Sequence, residues 1–147
     1  MAVFLRDDAV DGRYNQNPFN FLHFDISSID LQLNNHSLPG SMSNLDFRNN
    51  LYMEAFENMY KATNTHHRGL DISYEDYGHG YTMFCFDLTA NGCSNSLHHL
   101  ENSLKGDLSL HVVFRRQLVV HARMILYAEF ENRLEIDRER RALLITQ

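Results

Sequence analysis

The stretch from Val119 to Phe130 sets Val120, Ala122, Met124, Leu126, Ala128 and Phe130 at every second position, the period of a strand with one face against a core. Just upstream, Leu108, Leu110, Val112 and Phe114 alternate with Ser109, His111 and Val113, and only Arg115 to Leu118 separates the two runs. A parallel sheet would need helices between successive strands, so an antiparallel arrangement is expected. Ala2 to Leu5 and Tyr81 to Leu88 read as further strands. Ile29, Leu31 and Leu33 alternate with Asp30, Gln32 and Asn34 before the Asn34-Asn35 pair, and Leu38-Pro39-Gly40 closes that segment. This is a strand followed by a turn or hairpin.

One segment changes period. Phe47, Leu51, Ala55 and Met59 recur at four-residue spacing, widened by Tyr52, Phe56 and Tyr60, which predicts an amphipathic helix over 46–62 capped by Asn44 or Asp46. Two long polar connections, 63–80 and 89–106, separate the remaining runs. Five or six strands, one inserted helix and long loops predict a mainly β fold, an antiparallel jelly-roll-type sandwich. A full jelly roll has eight strands, so the roll is expected to be incomplete or completed by another chain.

At 147 residues with 44% hydrophobic content, the chain suits one domain that buries about two thirds of its unfolded surface. Its formal charge of −6 argues against whole-surface affinity for nucleic acid, which requires clustered positive charge. Residues 137–147 read as a charged C-terminal tail. There Arg138, Arg140 and Arg141 alternate with acidic residues, so the segment is first an ordinary solvated stretch and only second a candidate nucleic-acid contact. Cys85 and Cys93 lack metal or redox spacing. The first eight residues are too short in apolar content for a signal peptide, and no run approaches the ~18 apolar residues of a membrane span. An intracellular location is the simplest expectation.

The residue types of a metal site occur in His66, His67 and His79 beside Asp71, Glu75 and Asp76, but not at ligand spacing. Ser73 and Cys93 lack a nucleophile context, and Gly78-His79-Gly80 lacks the Lys and helix of a phosphate cradle. No enzyme and no cofactor is therefore expected. The stripe of Phe47, Tyr52, Phe56 and Tyr60 reads as core, with an interface as the second reading.

Three stretches carry a resemblance: Asn17-Pro18-Phe19-Asn20-Phe21 with His23-Phe24-Asp25; Tyr77-Gly78-His79-Gly80-Tyr81 with Phe84-Cys85-Phe86-Asp87-Leu88-Thr89; and Ile125 to Asn132 with Glu135 to Arg138. In this order they resemble the C-terminal part of the double-jelly-roll major capsid-like proteins of Maverick/Polinton transposons and adintovirus-type viruses. The resemblance implies a structural protein whose subunits trimerise into capsomers of a virion or transposon-derived shell. It further implies that residues 1–147 form one jelly-roll-like domain, the C-terminal half of a longer protein, or else a remnant retained by a host cell. Candidate subunit contacts are Tyr52, Phe56, Tyr60, His66, His67 and Tyr77, with other capsid subunits as partners. A jelly-roll module binding a carbohydrate-type ligand is the alternative, since fold alone does not fix function.

Overall fold

A computed structural model of the chain describes residues 1–11, 13–63, 70–89, 105–128, 133–136 and 142–145. The fold is mainly β, with two small antiparallel sheets that share one core. The first has the order β4-β1-β6, where β1 is Ala2–Arg6, β4 is Met83–Phe84 and β6 is Ala122–Leu126. The second has the order β3-β2-β5, from β2 (Ile26–Leu33), β3 (His36–Ser37) and β5 (Leu108–Phe114). Phe4 of β1 joins the two by edge-on contacts with Phe84 at 5.9 Å and Phe114 at 6.2 Å between ring centres, the preferred geometry of aromatic pairs. This arrangement agrees with a β-sandwich.

The expected hairpin forms. Asn34 and Asn35 have φ of 50° and 65°, and Leu33 pairs with His36, a two-residue turn of the kind whose positive φ angles asparagine tolerates. At the other end of β2, Ile26 pairs with Phe114 and Ser28 with Val113, which leaves Ser27 as an extra residue. That bulge reverses the alternation, so Ile26 and Ile29 are both buried although three positions apart. Ser27 still finds partners: its carbonyl accepts from Leu45 and its hydroxyl donates to the Val113 carbonyl.

The predicted helix over 46–62 is shorter. Asp46 caps a single 3-10 turn at Phe47–Asn49, Asn50 turns left-handed with φ 56°, and α-helix resumes only at Met53–Ala62. Reciprocal backbone bonds between Asp46 and Leu51 close this loop and interrupt the ladder a continuous helix needs. Along the chain, α1 is Asp7–Val10, α2 is Met53–Ala62 and α3 is Tyr74–Gly78. The expected strand over 81–88 contracts to the two residues of β4. A hairpin of β7 (Arg133–Ile136) and β8 (Ala142–Ile145) pairs within itself, so part of the expected charged tail is a strand.

Candidate subunit interface

Two of the three resemblance-bearing stretches meet in space. Phe21 bridges Tyr81: its N–H donates to the Gly80 carbonyl at 2.8 Å, and its carbonyl accepts from Thr82 at 3.2 Å. Gly80 has φ 112°, and a Cβ there would lie 2.6 Å from the Asn20 side chain. Gly78 is needed for a second reason, since its Cβ would meet the Tyr52 hydroxyl at 2.6 Å. Both glycines thus serve close packing.

Tyr52 belongs to a column of rings. His23 stacks on Phe47 at 4.2 Å, Phe47 on Tyr52 at 4.8 Å and Tyr52 on Tyr74 at 4.4 Å. The polar ends are satisfied: Tyr52 donates to the Tyr74 carbonyl, Tyr74 to the Asn50 carbonyl and Tyr77 to the Met83 carbonyl. Burial raises the Tyr77 phenol well above its usual range. Tyr52, at 2% exposure, follows the first reading of its stripe as core, while the interface candidacy of Tyr52 and of Tyr77 is corrected, because both are core residues, Tyr77 at 0% exposure, and have no surface to offer a neighbouring subunit. Phe56 and Tyr60 are partly buried and pack on the same core, with the Tyr60 hydroxyl at the Leu70 and Ile72 carbonyls. His66, His67, Arg138, Arg140 and Arg141 lie outside the described residues.

Beside the column sits a buried charge that the sequence did not flag. Both Asp25 carboxylate oxygens are enclosed without a hydrogen-bond donor in good geometry, and the charge is balanced by ion pairs to Arg48 at 3.0 Å and Arg116 at 4.0 Å. Arg115 adds a bond to the Leu45 carbonyl at 2.6 Å and faces Asp46 at 3.8 Å. Together these groups clasp the 3-10 turn to the end of β5. The Asp25 N–H donates to His23 Nδ1 at 2.9 Å, and burial holds the His23 pKa below its ordinary value. The neutral ring accepts at Nδ1 and carries its proton on Nε2. Burial likewise pushes the free Cys85 thiol up to about 11, which makes it inert.

The apolar surface lies elsewhere. Of the strand expected over 119–130, the described residues form 122–126, with 129 and 130 outside them, and its supposed core face is open: Met124 is 42% exposed, Leu126 59% and, on the opposite face, Ile125 46%. The physical reason is position. Among the described residues β6 is an edge of its sheet, while the second sheet reaches Phe4 through its Phe114. Leu108 and Val113 of β5 and the preceding Val119 and Val120 are exposed as well. An apolar edge of this length is a template for another strand.

A shallow recess of about 320 Å³ involves Gly40, Asn58, Lys61 and Asp87, with no aromatic face among its lining residues. Among the described residues, no three His, Cys, Asp or Glu side chains gather as metal ligands, and no helix is long and apolar enough to cross a membrane.

No family model and no solved structure matches the chain. A curated relative does: the Caenorhabditis elegans protein described as "Uncharacterized protein F54H12.2" is 25% identical over 138 residues, which cover 90% of this chain and 32% of the relative. The chain therefore spans about a third of that relative's length.

Proposed function

We propose that this domain is a structural, capsid-type jelly-roll unit that self-associates into capsomers, with a trimer as its expected assembly. The observation that carries this reading is the contrast within one sheet between the buried β1 and the exposed apolar β6. Two small sheets on a shared core fit an incomplete roll, and an apolar edge is what a neighbouring subunit would cover. Affinity on this reading comes from apolar surface and strand complementarity, without a catalytic centre or cofactor. A carbohydrate-type binding module would instead need an open aromatic platform, and the ring column of Phe47 and Tyr52 is buried.

Static light scattering on the purified chain over a concentration series tests the proposal. Trimers or larger assemblies are expected. A monomer at every concentration would overturn it.

A further inference from the structure

We infer that the outer edge of β6 is a self-pairing surface, on which a second copy of this chain lays its own β6 antiparallel about a two-fold axis through Met124. This rests on the self-association proposed above and names one of its contacts. The direction of each backbone group carries the argument. The Met1 amino group donates to the Tyr127 carbonyl at 2.8 Å and the Tyr127 N–H to the Met1 carbonyl at 2.9 Å, while Asp7 donates to the His121 carbonyl at 3.0 Å. Hydrogen-bonded pairs recur at every second residue of an antiparallel ladder. With Val3 opposite Ile125 and Leu5 opposite Arg123, residues 121, 123, 125 and 127 turn their backbone groups toward β1. Ala122, Met124 and Leu126 turn theirs away from it, and among the described residues no strand pairs with that edge.

These outward residues are self-complementary. With Met124 opposite Met124 of the second copy, Ala122 falls opposite Leu126, and every outward N–H and C=O within β6 finds its complement. The charges agree with this register. Arg123, the only charged residue of β6, already pairs with Asp7 at 2.5 Å and would face Ile125 of the second copy. Sliding the centre to Arg123 would oppose two guanidinium groups, which is destabilising, and would leave one of the pairs unmade. The side chains agree too: Met124 and Leu126 of both copies would form one apolar layer on the open inner face, where each is now exposed. β6 also lacks the Lys and Pro that blunt unpaired edges. A two-fold contact differs from the three-fold contact of a trimer, so it would link subunits of adjacent capsomers.

The test is light scattering of the full chain beside Met124→Pro, with circular dichroism as the check on folding. Proline at this position removes an N–H that faces away from β1, so pairing inside the monomer is retained. The pairing predicts that the variant loses the two-fold contact, with association weakened by roughly tenfold or more at unchanged circular dichroism. Where Met124→Pro does not fold, Met124→Cys in a Cys93→Ser background decides: mild oxidation should give a disulfide-linked dimer, because self-opposed residues lie about 5.5 Å apart. Ile125→Cys, which faces Arg123 of the second copy, should not crosslink. An oligomer unchanged in Met124→Pro, or no crosslink in Met124→Cys, overturns the β6 pairing and leaves self-association standing. A monomeric wild type overturns both.

Discussion

β1 and β6 are hydrogen-bonded neighbours with nearly equal composition, each holding four apolar residues and one arginine, yet they end in opposite environments. The apolar residues of β1 are at most 4% exposed, whereas Met124, Ile125 and Leu126 of β6 are 42–59% exposed. Burial here follows from place in the sheet. β1 is flanked on both sides by β4 and β6 and faces Phe114 through Phe4, and among the described residues β6 has the open side. An apolar strand sequence therefore marks a surface that needs a partner, and only topology tells whether the same chain supplies it.

Substitutions can break this comparison. Phe4→Ala should cost about 3–5 kcal/mol in denaturant unfolding, because it empties a site enclosed by Phe84 and Phe114. Equal tolerance at Phe4 and Met124 would refute the contrast. Next, Gly78→Ala should cost about 1–3 kcal/mol, since the new methyl would press on Tyr52, which is wedged between Phe47 and Tyr74. A variant as stable as wild type would mean the column has slack.

A smaller effect should appear with pH. The fold keeps His23 below its ordinary pKa, so the unfolded chain binds more protons than the folded one as pH falls through about 6.5. Its contribution is fully present above that pH and is lost on acidification toward the lower folded value. The melting temperature should therefore fall between pH 7 and 5.5, and His23→Asn should flatten the fall. Smallest of all, Leu126→Thr should change monomer stability by no more than about 0.5 kcal/mol while weakening association, as read by unfolding at low concentration beside light scattering at high concentration.

Much of the fold was legible in the sequence because period 2 and the Asn34-Asn35 turn are local signals. The hairpin, β5 and the position of β6 follow from them. Two features were not legible for physical reasons. The left-handed Asn50 splits the apparent stripe of 46–62 before α2 begins, and an apolar spacing of four is the same on either side of such a break. The openness of β6 depends on which strand lies beside it, which its own residues do not encode. At the candidate site, Tyr77 was misplaced and Tyr52, read first as core, was also carried as an interface candidate, because aromatic enrichment marks cores and interfaces alike. The clasp of Asp25, Arg48 and Arg116 joins residues 91 positions apart at its extremes, and no local pattern announces it.

Amide hydrogen exchange, resolved by residue and followed from dilute to concentrated protein, tests the central claim most directly. The account expects Arg123 and Ile125, bonded to β1, to be protected at every concentration, and Met124 and Leu126 to gain protection only as concentration rises. Exchange at Met124 and Leu126 that stays fast at every concentration, in a protein that nonetheless assembles, would contradict it.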